Sequence, residues 1–209
     1  MLVGPVRAFF EAERQRPRWR GLAVVTAIAC TPLVANLVLA ARMPRGDQPV
    51  VALATGTGVV EAPALALASV VLGFATPFLF WLLYAGIAYG ITTRFDGTGS
   101  FTRYATLFAW GLVPGLVVQL FWLGALVTNA TTTGPPVAPA ENAAWIEAVQ
   151  SGPAMAAVDV LYPVAAIVAF GCWVVATAVG RGVTTRQATL AVLPALAIEL
   201  TTYYLFVLG

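Results

Sequence analysis

Apolar residues in this chain run in long blocks rather than in alternation. Five stretches, about 21 to 41, 64 to 91, 104 to 127, 153 to 179 and 188 to 208, are nearly continuous in Ala, Val, Leu, Ile, Phe and Gly. Each is close to or above the ~20 residues a helix needs to cross the ~30 Å hydrocarbon core of a bilayer. The pattern predicts an all-α, polytopic membrane protein, a bundle of five transmembrane helices forming one domain over residues 21–209. The first block is too long for the apolar region of a signal peptide and reads as a retained helix. Ahead of it, residues 1–20 form a basic segment in which Leu2, Val6, Phe9 and Phe10 fall opposite Arg7, Glu11 and Arg14. That spacing predicts a short amphipathic helix lying on the membrane surface.

Composition sharpens the picture. Of 209 residues, 60% are hydrophobic and only 10% charged, and the mean hydropathy is +0.87. The expected solvent is lipid, so the bilayer itself is the first partner. There is no His, and all 11 cations are Arg. This removes imidazole metal ligands, histidine bases and Schiff-base lysines, and with them most cofactor and catalytic chemistry. Cys30 and Cys172 both lie in apolar stretches and read as small packing residues, not as a disulfide or metal framework. A net charge of +2 is too small for nucleic-acid binding. The expectation is a non-enzymatic protein with no cofactor and no bound metal.

The arginines orient the spans. Arg7, Arg14, Arg16, Arg18 and Arg20 precede the first block, Arg94 and Arg103 lie between the second and third, and Arg181 and Arg186 between the fourth and fifth. Only Arg42 and Arg45 fall on the other face. The positive-inside rule then places the N-terminus in the cytoplasm and Gly209 outside, in the cell membrane. The outer loop opens at Thr128 with NATTTGPPVAP, an irregular stretch containing an acceptor sequon at Asn129, and continues with AENAAWIEAV. The second segment predicts an interfacial helix seated at the headgroups by Trp145 and Ile146.

The stretch RFDGTGSFTRY, Arg94 to Tyr104, invites a phosphate-loop reading, which fails. Such a loop needs a lysine, and a dinucleotide loop needs a preceding strand; here the chain has no lysine and an apolar helix comes first. What remains is a turn: Gly97 and Gly99 permit it, Asp96 or Ser100 caps the next helix, and Arg94 and Arg103 anchor helix ends at the headgroups. The turn makes the second and third spans an antiparallel hairpin. Small-xxx-small pairs, Gly86 with Gly90 and Gly111 with Gly115, lie at similar depth on its arms and predict close backbone packing.

These residues resemble a known family. SFTRYATLFAWGLVPGLV is similar to the third-helix segment of the Yip (Ypt- or Rab-GTPase-interacting protein) domain, in which a Gly-rich, Ser-containing loop opens a helix that reaches an internal proline. Here these are Gly97, Gly99, Ser100 and Pro114. VRAFFEAERQRPRW resembles that domain's amphipathic leading segment, DVLYPVAAIVAFG its fourth span, begun by an acidic residue at Asp159, and GVTTRQATLAVLPALA its short basic loop into the fifth. The resemblance implies a multi-pass protein with a cytoplasmic N-terminus that organises membrane or recruits partner proteins, itself included.

Ionisable groups inside a span cost ~2.5 to 3.5 kcal/mol on insertion scales and are functional candidates by default. Asp159 and Glu199 lie roughly 9 and 14 Å below the outer ends of their spans at ~1.5 Å per residue. Asn36, Gln119 and Glu61, the last at the outer edge of the second span, fall in the same half. Tyr162 lies beside Asp159, and Thr202 and Tyr203 share a face with Glu199. Every span also holds a proline: Pro32, Pro77, Pro114, Pro163 and Pro194. Each frees the carbonyl four residues earlier, which for Pro163 is that of Asp159. Three readings stay open for this set: polar groups knitting helices together, an ion or proton site in a small permease, or another ligand pocket.

Overall fold

With no water to satisfy its backbone, a chain in hydrocarbon must close its own hydrogen bonds, and a helix does so within one segment. The computed structural model describes residues 3–44, 50–55 and 58–205, with side chains beyond Val3 and outside residues 50–66. Leu2, Arg45, Gly209 and the end of the fifth apolar block lie outside the described residues, as does the side chain of Glu61. The helices are α1 (Val3–Glu13), α2 (Trp19–Arg42), α3 (Ala64–Thr93), α4 (Phe101–Ala109), α5 (Val113–Thr132), α6 (Asn142–Val149), α7 (Pro153–Arg181) and α8 (Thr185–Tyr203). A 3-10 turn, Trp110–Leu112, joins α4 to α5 immediately before Pro114, which has no amide to give the preceding turn.

Among the described residues four stretches are long and apolar enough to cross a membrane: Trp19–Arg42, Leu67–Thr93, Phe101–Thr132 and Pro153–Arg181. The fifth block is helical as α8 but is not among them, because Thr185, Arg186, Gln187, Glu199, Thr201 and Thr202 dilute its apolar content. The class is all-helical, as expected, apart from one short segment between α2 and α3. Strands β1 (Val50–Thr55) and β2 (Gly58–Pro63) form an antiparallel hairpin in which Ala52 faces Glu61. Glu61 therefore sits in a strand three residues ahead of the helix of the second span, which starts at Ala64. The signal was legible: valine pairs flank Gly56-Thr57, a Gly-led dipeptide of the kind short hairpins use.

The chain divides into two units. The first takes residues 1–28, 77–118 and 159–209 and the second residues 29–76 and 119–158, so that α2, α3, α5 and α7 give a segment to each. Pro32, Pro77, Pro114 and Pro163 fall close in sequence to these divisions.

In the first unit an aromatic ladder fills the core. Phe108 stacks on Trp173 at 5.1 Å, Tyr104 packs on Phe108 at 5.7 Å, and Tyr84 packs on Trp173 at 5.7 Å. Alanines at 85, 88, 105, 109, 169, 188 and 195 give the rings their space. The polar tips are bonded inside the core, as buried aromatic hydroxyls and indoles require: Trp81 Nε1 donates to the Ala105 carbonyl at 2.8 Å, and the Tyr104 and Thr177 hydroxyls lie 2.9 Å apart. The Trp81 bond also realises the expected α3–α4 hairpin. α1 is helical and docks through Phe10, buried against Leu107, Ala176 and Val179, while Phe9 lies edge-on to Trp110 and remains exposed. α8 opens with a capping box, Thr184 and Gln187 each bonding the other's backbone amide.

The second unit is built around Leu126, Ala130, Ala35, Leu39, Trp145, Val149 and Met155. Trp145 is thus buried in this core, with α6 packed onto α5. α5 runs on through Thr132, past the residue at which the outer loop was expected to begin. The Asn129 amide donates to the carbonyls of Val149 and Ser151 at 2.9 and 3.0 Å, so the sequon nitrogen already holds the loop to the end of α6.

The glycine pairs are a further correction. An added Cβ would meet nothing within 4 Å at Gly86, Gly90 or Gly115, so these do not mark a close approach. At Gly111 it would overlap the indole of Trp173 on α7, and at Gly21 the carbonyl of Thr106 on α4. Which face of a helix meets its neighbour is set by rotation about its axis, and small-residue spacing alone does not fix that rotation. Gly111→Ala is therefore expected to cost about 1–3 kcal/mol by overpacking against Trp173, whereas Gly115→Ala should stay within about 0.5 kcal/mol. Thermal unfolding of the detergent-solubilised variants measures the difference.

Candidate functional site

Three helices of the first unit meet at one carboxylate. Glu199, half-buried on α8, accepts a hydrogen bond from Tyr84 of α3 at 2.5 Å through Oε2, and another from Tyr162 of α7 through Oε1. Tyr84 was absent from the residues singled out by sequence, although it lies on the facing helix. Its signal was only that of a tyrosine in an apolar span, where an apolar ring carries one hydroxyl to a polar partner.

The neighbouring contacts extend the arrangement. The ring of Tyr162 stacks on that of Tyr203, with centroids 4.6 Å apart and planes 9° from parallel. Tyr203 then donates its hydroxyl to the backbone carbonyl of Asp159 at 2.6 Å. This is the carbonyl that Pro163 deprives of its helical partner. The freed acceptor is thus satisfied by a side chain from the adjacent helix. The Asp159 carboxylate, by contrast, is exposed and makes no hydrogen bond or ion pair among the described residues. Thr202 is half-buried and does not join the set.

The remaining polar candidates belong to the second unit. Gln119 Oε1 accepts from the Thr31 hydroxyl at 2.7 Å, and Asn36 Nδ2 donates to the Ser69 carbonyl at 3.2 Å. The polar group of α2 is thus tied to α3 and that of α5 to α2. Glu61 is placed in β2. Within the first unit Glu199 is held by two tyrosines, and within the second Gln119 and Asn36 each make an interhelical hydrogen bond.

The Gly-rich loop between α3 and α4 holds the second arrangement, which sequence did not foresee. Arg181, the last residue of α7, is 1% exposed. Its Nη1 donates to the carbonyls of Thr98 and Gly99 at 2.6 and 2.8 Å, its Nη2 to that of Gly97 at 2.7 Å, and its Nε to the Thr92 hydroxyl at 3.0 Å. The guanidinium also lies 3.9 Å from the ring centre of Tyr89. The backbone answers in return, Thr98 N–H donating to the Arg181 carbonyl at 2.8 Å. Gly99 takes φ +91°, as expected of a turn glycine. Gly97 serves differently: a Cβ there would sit 2.7 Å from the Thr92 carbonyl and 3.1 Å from Arg181 Nη2. The residue with φ +56° is Asp96, and Ser100 occupies the N-cap position without a side-chain cap bond. The loop is thus a bowl of carbonyls for a cation of its own chain, the reverse of a phosphate loop, which presents amides to an anion.

Among the described residues no group of three or more Cys, Asp or Glu side chains is placed to hold a metal ion. The glutamate clamp presents two neutral donors to one carboxylate, and the arginine bowl presents neutral acceptors to one cation. Both arrangements suit fastening helices in a medium that cannot solvate them.

The family model described as the Yip1 domain matches residues 1–207 of this chain. No curated protein and no solved structure gives a significant match.

Replacing Arg181 by Met should leave the Gly97, Thr98 and Gly99 carbonyls without their donor, at about 1–3 kcal/mol for loss of a buried partner. Arg181→Lys should recover only part, since an ammonium cannot present the planar fork. Trypsin cleavage at Arg94 in detergent should accelerate in the order wild type, Lys variant, Met variant.

Proposed function

This chain belongs to the Yip1 domain family, and from that premise we propose that it is a non-enzymatic, multi-pass membrane protein that organises membrane or recruits partner proteins. The observation that carries this reading is the clamp on Glu199. Both carboxylate oxygens accept tyrosine hydroxyls from other helices, which suits a structural fastener better than a site that must exchange an ion. Gln119 and Asn36 are likewise engaged by Thr31 and Ser69.

Five crossings, with the N-terminus in the cytoplasm and the C-terminus outside the cell membrane, fit this reading. The composition of α8 understates its fitness for lipid. Glu199 and Tyr203 are bonded inward, whereas Leu190 and Leu193 are half-exposed on its outer side. Large apolar side chains exposed along the other helices, among them Leu72, Leu79, Val117, Val160 and Ile167, form the surface that hydrocarbon would cover.

A small ion- or proton-coupled permease is the second reading, and Asp159 is what favours it: its carboxylate is the intramembrane acid left without a partner among the described residues. Flux of protons or sodium into proteoliposomes separates the two. A flux present in wild type and abolished by Asp159→Asn would establish the permease.

Two outcomes are expected of the leading reading. A tag added after Gly209 and a cysteine at Ala140 should react with impermeant reagents in intact cells, and a cysteine at Arg186 only after permeabilisation; a tag that stays hidden would remove the fifth crossing. Crosslinking in membranes followed by mild detergent extraction should return a reproducible protein partner or a second copy of this chain, and the repeated absence of both would sink the recruiting role.

A further inference from the structure

Where the elbow between α1 and α2 passes α4, the surface is an open groove lined by Arg14, Arg16, Arg18 and Arg103 with a single carboxylate, Glu13. That carboxylate is already spent. It is buried, and one oxygen, Oε1, accepts from Arg16 at 2.9 Å and from Arg20 at 2.8 Å. Arg14 gives one nitrogen to the Val179 carbonyl at 3.3 Å. Arg18 and Arg103 are exposed and make no hydrogen bond or ion pair among the described residues. The groove therefore carries four guanidinium groups against one acid that is doubly engaged, with Trp110 forming an apolar wall.

We propose that this groove binds a phosphate-bearing anion, taken from the headgroup of an anionic phospholipid. Guanidinium forks match the oxygen geometry of phosphate and are weakly hydrated, so they give up water to it more readily than ammonium groups do. Glu13 has a positioning part: by fixing Arg16 and Arg20 it holds the elbow in place while leaving the outer arginines uncommitted. Trp110 contributes on two sides, as Arg20 lies 5.7 Å from its ring centre and Phe9 packs on it edge-on at 5.3 Å. Indole at the rim of a headgroup site is where an amphipathic ring sits in a membrane. A headgroup bound here would join the elbow, through Arg14 and Arg18, to α4, through Arg103. This goes beyond a general attraction of basic residues to a charged surface, because it assigns the attraction to one groove. It depends on the chain lying in a bilayer and not on partner recruitment.

The test uses the full chain in nanodiscs of phosphatidylcholine alone or with phosphatidylglycerol, and reads both thermal stability and lipid retained in native mass spectra. Wild type should be stabilised by phosphatidylglycerol and retain it selectively. Arg18→Gln with Arg103→Gln, both at exposed positions, should weaken that retention roughly tenfold to thirtyfold, at about 1 kcal/mol per basic group near a charged surface. The control, Arg94→Gln with Arg186→Gln, removes the same charge from the loops outside the groove and should leave retention unchanged. Inorganic phosphate added to phosphatidylcholine discs distinguishes the sources: stabilisation by phosphate alone, lost in the groove variant, would keep the anion site and assign it to a free phosphate. Equal losses in the groove and control variants, or no preference for phosphatidylglycerol in wild type, would overturn the proposal.

Discussion

The burial of Arg181 is the constraint on which the order of the first unit rests. Its guanidinium carries a full charge and, among the described residues, makes no ion pair with a carboxylate; a buried charge left uncompensated would cost several kcal/mol. Compensation comes from four neutral oxygens and one aromatic face. Three of the oxygens are consecutive backbone carbonyls, which converge only if the chain between α3 and α4 turns back on itself. The charge therefore dictates the shape of the loop, and the loop dictates where α3 ends and α4 begins. Position adds to the effect, since a cation on the last residue of α7 lies where the helix dipole is negative. Once the two ends are joined, the rings one to two turns further along, Tyr104, Phe108 and Trp173, are brought into the stack that fills the core.

The helices were legible because hydrocarbon imposes a length and a composition that few other environments demand. Individual contacts were not, and Arg181 illustrates why. A basic residue between two spans is what the positive-inside rule counts, and a buried anchor and a solvated marker look the same to that rule. Two local features could have separated them: Gly182 immediately after it, with φ +67°, and a Gly-rich loop one hairpin earlier that offers carbonyls but few side-chain partners. Glu199 repeats the lesson. Counting residues from the span ends placed it at the depth of Asp159, yet its partners are set by rotation, and rotation selected Tyr84 and Tyr162. Where a backbone rule left one outcome, sequence reading reached the atom, as with the carbonyl freed by Pro163. It did not say that Tyr203 would fill the vacancy.

Polar groups in the two units follow one logic with different side chains. In the second unit, the Thr31 hydroxyl of α2 donates to the Gln119 amide oxygen of α5, the Asn36 amide of α2 to the Ser69 backbone carbonyl of α3, and Arg42 at the end of α2 to the Ala130 carbonyl in the last turn of α5. In the first unit, tyrosine reaches further and brings an apolar ring with each hydroxyl. Two tyrosine donors on one carboxylate also reduce the lone pairs left for a metal ion or water, so the fastening function and an ion site compete for the same oxygens. Asp159 escapes that competition, because its backbone carbonyl is used and its carboxylate has no partner among the described residues. The distinction between fastener and site therefore reduces to one acid.

The exclusive use of arginine fits these tasks. A lysine ammonium is compact and strongly hydrated, whereas a guanidinium spreads its charge, presents several donors in one plane and lies flat on aromatic rings. Arg181 uses all three properties at once, Arg42 and Arg14 each bond a helix-end carbonyl, and Arg20 divides itself between Glu13 and Trp110. Among the described residues Arg7, Arg16 and Arg20 meet a carboxylate, whereas Arg14, Arg42 and Arg181 bond neutral carbonyls. A guanidinium can therefore tie one helix end to another through neutral carbonyls and still carry its full charge, a combination that an ammonium, with its single compact donor head, serves less well.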